Sequence, residues 1–275
     1  QALSKIKWIF SPKKAGHTGT LDPLATGLLP ICLGEATKFS SFLLESDKTY
    51  EASIKLGFRS NTGDSEGVIV DLNVQHFPAL KEIKETLKQF SGMQEQTPPM
   101  YSALKFKGKP LYEYAREGEE IERKKRSINI VSLDLIDYSD NVLKITVECS
   151  KGTYIRTLAS DIGDKLNTGG YLIALIRTAI GSVNVEQAKT LDMIEASDKE
   201  ARDALIFPID EFLNYLDDIS LVPSAEEAIK DGKTLLFKGM KEGIYRLYNK
   251  DKFFLGLGTL DRHGYLKVRR LLALS

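Results

Sequence analysis

The chain has 275 residues, 42% of them hydrophobic and 28% charged, with a formal net charge of zero. That length supports a sizeable core, arranged as one large domain or as a large and a small one. No apolar run approaches the roughly 20 residues that cross a bilayer, and zero net charge argues against a uniformly basic nucleic-acid binder.

The first informative stretch is AGHTGTLDPLATGLLPICLGEATKF, residues 15–39. Its glycines and prolines make much of it a poor regular helix, and a tight loop is expected instead. Residues 48–57, KTYEASIKLG, alternate Tyr50, Ala52, Ile54 and Leu56 with polar neighbours, the period of a half-buried strand. RSNTGDSEG, residues 59–67, is polar and glycine-containing and reads as a loop that orders on binding a ligand. Residues 79–90 form a predicted helix with Leu80, Ile83, Leu87 and Phe90 on one face, bounded by Pro78 and Gly92. Residues 128–135 and 142–149 are predicted strands joined by an SDN turn. Residues 155–166, IRTLASDIGDKL, are a predicted helix despite Gly163. From about residue 219, short apolar segments alternate with glycine-containing turns, the texture of a small β-rich module with a helix, SAEEAIKDG, near its start. The acidic stretch before it is expected to end a first domain with helices.

Charge is distributed unevenly. Residues 230–270 hold 11 Lys/Arg against 4 Asp/Glu, whereas residues 186–227 hold 3 against 12. The C-terminal part therefore carries either an RNA-binding patch or a solvated lysine-rich surface. Cys32 and Cys149 stand in no metal-ligand spacing and are expected to be buried thiols of a cytoplasmic protein. His17, His76 and His263 are too scattered for a zinc site. No signal peptide is visible at the start, Gln1.

Three side chains invite a chemical reading and a plainer one. Asp22, just before Pro23, is either a turn or helix cap or a carboxylate presented by an unusual loop. Arg156, near the start of a predicted helix, is either a surface arginine or a bidentate partner that keeps such a carboxylate ionised. Tyr50 is either a core aromatic or a stacking face.

Five segments in order carry a resemblance: AGHTGTLDPLATGLLPICLGEATK, KTYEASIKLG, RSNTGDSEG, QTPPMYSALKFKGKPLYEYAREGEEIERKKR and CSKGTYIRTLASDIG. Together they resemble the TruB-type tRNA pseudouridine-55 synthases, from the first residues to about 185. The C-terminal part is more loosely similar to a PUA module. The resemblance implies an α+β pseudouridine synthase fold, with a mixed, largely antiparallel central sheet and flanking helices and loops, in residues 1–218. A small β-rich PUA-like RNA-binding domain follows in 219–275. It implies isomerisation of uridine to pseudouridine in the T-loop of tRNA by base flipping, with no cofactor, no metal, no obligatory protein partner and a monomeric state. Asp22 matches the essential aspartate of G-H-T-G-x-L-D-P. Tyr50 matches the tyrosine that lies against the flipped uracil, and Arg156 the arginine that pairs with the aspartate. Tyr154 and Leu175 match positions lining the uridine pocket, and His17 a histidine that holds or replaces bases in the opened RNA loop. Members of the family usually begin with a strand and a D-K-P-x-G-x-T-S segment before the counterpart of QALSKIKWIF, and that segment is absent here. Its loss is expected to weaken packing near the site. The alternatives are an RNA-binding or tRNA-folding protein on the same scaffold and a guide-RNA-dependent synthase. A tRNA methyltransferase is disfavoured, because nothing resembles a phosphate-cradling glycine loop or a knotted cofactor site.

Overall fold

The computed structural model describes residues 2–273. The chain forms two compact units. One comprises Thr20–Leu29 and Glu45–Glu186, and the other Gln1–Gly19, Pro30–Leu44 and Gln187–Ser275. Among the described residues no helix is long and apolar enough to cross a membrane.

The first unit is built on a seven-stranded mixed sheet. Six strands run in the order Val183–Asn184, Gly170–Ile180, Lys48–Leu56, Val142–Cys149, Arg126–Ser139 and Gly92–Gln96, each antiparallel to its neighbour. The seventh, Ala25–Gly27, runs parallel to Gly170–Ile180. Alternation in the sequence explains the central strands. Ala52, Ile54 and Leu56 are buried, as are Leu143, Ile145, Val147 and Cys149 on the neighbouring strand. Their register sets Ile54 against Leu143 and Ala52 against Ile145, so one sheet face is continuously apolar. The predicted SDN turn holds Asp140 and Asn141 at φ of 50° and 58°, the left-handed pair that a two-residue hairpin favours. The first strand of that hairpin is longer than predicted, Arg126–Ser139, with irregular register after Ile130 and Leu135.

Two helices cover the apolar face. Ile155–Lys165 contributes Ile155, Leu158, Ala159 and Ile162, and Leu80–Lys88 contributes Ile83 and Leu87. The predicted face of the second helix is corrected at one position. Leu80 is 49% exposed, and Thr86 is buried on the inner side instead. Leu80 is the first residue of the helix. Gly163, which propensity alone would penalise inside a helix, has a packing reason. A Cβ there would stand 2.2 Å from the backbone of Gly169. The helix thus lies directly on the chain that enters the Gly170–Ile180 strand.

The stretch 59–67 is more ordered than a polar loop. Phe58–Ser60 and Ile69–Asp71 pair as a short hairpin. Between them Asn61 Oδ1 accepts from the Val68 backbone, and the Asp64 carboxylate accepts from Thr62 Oγ1. Side chains of the loop thus supply its backbone with partners.

The second unit contains a five-stranded sheet in the order Asp218–Ser220, Gly243–Tyr248, Phe254–Leu260, Tyr265–Leu271 and Leu235–Leu236. The helix Pro223–Lys230 lies near the start of this β-rich part and buries Ile229 with Leu221, Leu247, Leu255 and Leu266. The acidic stretch before it supplies the helices Leu191–Ala196 and Lys199–Ala204, capped by the side chains of Thr190 and Asp198. The whole is thus an α+β fold with a small C-terminal β-rich part. Of the two thiols only Cys149 is buried, and burial pushes its pKa up to about 12. Cys32 is half-buried, on a three-residue strand no residue of which is fully buried.

Replacing Gly163 by Ala should reverse the usual helix rule. Propensity favours Ala by about 1 kcal/mol, but the backbone contact makes the site overpacked, which typically costs 1–3 kcal/mol or more. Urea unfolding is expected to show a lower midpoint with an unchanged slope; an unchanged or raised midpoint would refute the packing account.

Candidate active site

Asp22 sits in the turn that feeds the Ala25–Gly27 strand. Its backbone carbonyl accepts from Ala25 N at 2.9 Å, closing the turn over Pro23 and Leu24. No helix begins at Pro23. The turn is anchored just beyond. Gly27, at φ +97°, lies so close to its neighbour that a Cβ would stand 2.3 Å from the Arg177 carbonyl. Leu28 N then donates to that carbonyl at 2.8 Å. The backbone of Asp22 thus makes a turn, as the plainer reading holds, while its side chain does something else.

That side chain meets Arg156. Arg156 Nε donates to Asp22 Oδ2 at 2.8 Å, and Nη2 to Oδ1 at 3.3 Å, a side-on bidentate fork. The guanidinium has further acceptors. Nη1 donates to the Thr62 carbonyl at 3.0 Å and Nη2 to the Tyr101 carbonyl at 2.8 Å. A second carboxylate, Asp64, places Oδ2 at 3.6 Å from Nε. Asp64 also accepts from Thr62 Oγ1 at 2.5 Å and Glu66 N at 3.1 Å. The exposures differ sharply: 6% for the Arg156 side chain, 4% for Asp64 and 37% for Asp22. Of the three charged groups, Asp22 alone faces outward.

Arg156 is the second residue of the Ile155–Lys165 helix, and Tyr154 is the extended residue before it. Tyr154 is clamped by a buried amide. Its N donates to Gln96 Oε1 at 2.8 Å, and Gln96 Nε2 donates to its carbonyl at 3.1 Å. Burial raises the pKa of the Tyr154 hydroxyl. Tyr50 packs against the apolar cluster from the edge, with Val147 on one side in register and Arg177 on the other. Burial also raises its pKa. The Arg177 charge and hydrogen bond oppose that shift, and the Cys149 and Asp22 groups add to it. Leu175 is 5% exposed and stands between Ala25 and Ala52 in register. Asp22, Tyr50, Tyr154, Arg156 and Leu175 all belong to one unit. His17 belongs to the other, exposed on a short strand opposite Ile31.

The basic side chains divide into occupied and available. Lys109 pairs with Glu117 and lies over the Tyr114 ring, and Arg123 pairs with Glu120 at 3.0 Å. Lys105, Lys107, Lys124, Lys125 and Arg126 are exposed. Sequence reading did not single out Asp64 or Gln96. The only trace of Asp64 is a threonine two residues before an aspartate, the pattern of a side-chain-closed turn. Gln96 carries no local signal, because its partner is 58 residues away.

Three family descriptions match the chain in succession: TruB family pseudouridylate synthase (N terminal domain) over residues 7–155, tRNA pseudouridylate synthase B C-terminal domain over 156–214, and Pseudouridine synthase II TruB, C-terminal, over 218–272. Proteins named tRNA pseudouridine synthase B are similar along nearly its whole length. That of Azoarcus sp. is 47% identical, covering 99% of this chain and 90% of its own. That of Nitrosospira multiformis is 46% identical with the same coverage, and that of Yersinia pestis 42% identical, covering 99% and 88%. Two solved structures share the fold at low identity. One, an H/ACA RNP bound to a substrate RNA containing 2′-deoxyuridine, matches with a TM-score of 0.74 at 21% identity over 100% of this chain and 80% of the other. A Cbf5-Nop10-Gar1 complex matches with 0.73 at 23% identity over 98% and 80%.

Because Arg156 is buried and answers two carboxylates, Arg156→Met is expected to lower stability by about 3–5 kcal/mol, the size typical of an uncompensated buried charge. Adding Asp64→Asn should recover part of that loss. A double variant no more stable than Arg156→Met in urea would refute the charge-balance account.

Proposed function

The chain belongs to the TruB family of pseudouridylate synthases, and from that premise we propose that it converts the uridine at position 55, in the T-loop of tRNA, to pseudouridine, with Asp22 as the catalytic carboxylate. The observation that carries this reading is the Arg156 fork on a carboxylate that is itself outward-facing.

The reaction is an isomerisation. The bond between ribose C1′ and uracil N1 breaks, the base rotates, and C5 bonds to C1′; the proton lost from C5 is balanced by one gained at N1. No atom or electron enters from outside. A carboxylate can attack C1′, add to uracil C6 or assist loss of the 2′ proton. All three routes start from a carboxylate held beside the sugar and base, and a bidentate guanidinium fixes its orientation. Extruding the base costs a few kcal/mol, and stacking on an aromatic ring returns about 1–3 kcal/mol. In this reading Tyr50 provides that ring and its hydroxyl aids removal of the C5 proton. Tyr154 and Leu175 line the pocket, and His17 holds or replaces bases as the RNA loop opens.

RNA contact is assigned to Lys105, Lys107 and the run Lys124–Arg126, with the basic residues 230–270 of the C-terminal module as a second patch. The enzyme acts in this reading as a cytoplasmic monomer on tRNA itself. The guide-RNA-dependent alternative is favoured only by fold neighbours of 21–23% identity, whereas relatives at 42–47% are named for tRNA. A tRNA-folding role on the same scaffold is compatible with the activity.

Asp22→Asn should abolish pseudouridine formation in an unmodified T-stem-loop while leaving its dissociation constant nearly unchanged; turnover like the parent's would sink the mechanism. Arg156→Lys, which loses the planar fork, should slow single turnover by at least about 100-fold by the usual size of a lost transition-state contact, and a near-normal rate would count against the pair. The double change Lys105→Gln and Lys107→Gln should weaken binding and reduce the slope of log affinity against log salt by about 2; an unchanged slope would remove these two lysines from the RNA surface.

A further inference from the structure

Arg177 is a charged side chain that the mechanism above does not use, yet it is 2% exposed and touches both sides of the site. Its backbone is pressed against Gly27, and its carbonyl accepts from Leu28 N at 2.8 Å. Its side chain reaches the same residue, with Nε donating to the Leu28 carbonyl at 2.8 Å. Leu28 is thereby held at both ends of its backbone, six residues after Asp22. On the opposite strand Arg177 stands directly across from Tyr50, so the two side chains share a face of the sheet. From that position the guanidinium acts on the Tyr50 hydroxyl and holds its pKa down against burial. One planar cation therefore spans the turn that carries Asp22 and the ring proposed to receive the base.

We propose that Arg177 is a positioning residue for the isomerisation, fixing the Tyr50 hydroxyl relative to the Asp22 turn through its shared contacts with Leu28 and Tyr50. The inference rests on the pseudouridine synthase reading and deepens it. Guanidinium suits the task because its donors diverge in one rigid plane; an ammonium on a flexible stem reaches one acceptor at a time. The titratable and charged groups that act on the Tyr50 hydroxyl are Arg177 from the Gly170–Ile180 strand, Cys149 from the Val142–Cys149 strand and Asp22 from its turn. Lys48 lies on the same strand as Tyr50 and feels the Arg177 charge. Of the groups acting on the hydroxyl, Arg177 favours the phenolate, while burial and the two acidic groups disfavour it. Removing Arg177 should both loosen the hydroxyl and make it harder to ionise.

The test uses the full chain labelled with ¹³Cζ-tyrosine, Tyr50 being assigned by Tyr50→Phe. In Arg177→Gln and Arg177→Lys proteins with the parent's circular dichroism and T-stem-loop affinity, single turnover is expected to fall about 100-fold and 10-fold. The Tyr50 titration should move upward in Arg177→Gln. The pH at which the rate stops rising should move in the same direction. A purely structural arginine would leave the titration where it is. If neither variant folds, the ¹⁵N resonance of Arg177 Nε in Tyr50→Phe decides: a displaced resonance supports the contact and an unchanged one overturns it. Full rate with an unmoved titration in a folded Arg177→Gln protein overturns the role of Arg177 and leaves the functional reading standing. A parent protein that forms no pseudouridine overturns the functional reading and with it the catalytic purpose of Arg177, while the titration still judges the contact.

Discussion

Everything at the site depends on one buried guanidinium. Taking Arg156 out of water costs several kcal/mol, and the fold offsets this with acceptors drawn from distant parts of the chain. Asp22 comes from the turn before a parallel edge strand, and Thr62 and Asp64 from a hairpin loop. Tyr101 comes from the segment after the Gly92–Gln96 strand. Each of these acceptors lies in a turn or loop rather than within a helix or strand. The arginine supplies the common point, so losing it would remove one restraint from three segments at once.

The charge arrangement around that point is asymmetric. Two carboxylates flank one cation, and the inner one, Asp64, is enclosed and satisfied by Thr62 and the Glu66 backbone. Asp64 therefore takes up part of the positive field without competing for a ligand. Asp22 keeps a solvent-facing side while its orientation is set from behind. A carboxylate fixed in this way needs little reorganisation when charge develops near it, which is where electrostatic preorganisation is most effective.

Much of the scaffold was legible in the sequence. Period-2 alternation in KTYEASIKLG and in residues 142–149 marked the central strands, and SDN marked the hairpin turn. Motif resemblance singled out Asp22 and Arg156, which the structure joins; local physics had left Asp22 between a cap and a functional group. What escaped was set by long-range partners. The 59–67 stretch reads as a plain polar loop because its hydrogen bonds come from side-chain turns and a guanidinium 94 residues away. Gln96 and Arg177 drew no reading, because the groups they hold lie 58 and 149 residues away. Leu80 fits the helical period but stays 49% exposed, because periodicity gives a direction around the helix and not how far along it the packing partner reaches.

The two arginines also explain why the signature is so poor in regular structure. Gly27 allows the chain to lie against the Arg177 backbone at a distance no side chain permits, and Leu28 is then gripped from both its amide and its carbonyl. A longer ladder would spread that restraint over many residues and shield Asp22 within the sheet. A three-residue parallel strand held at its far end leaves the preceding turn free to project its carboxylate, and Arg156 then fixes the direction. The glycines and prolines around Asp22 are thus the means by which a short segment is anchored firmly at one end and left open at the other.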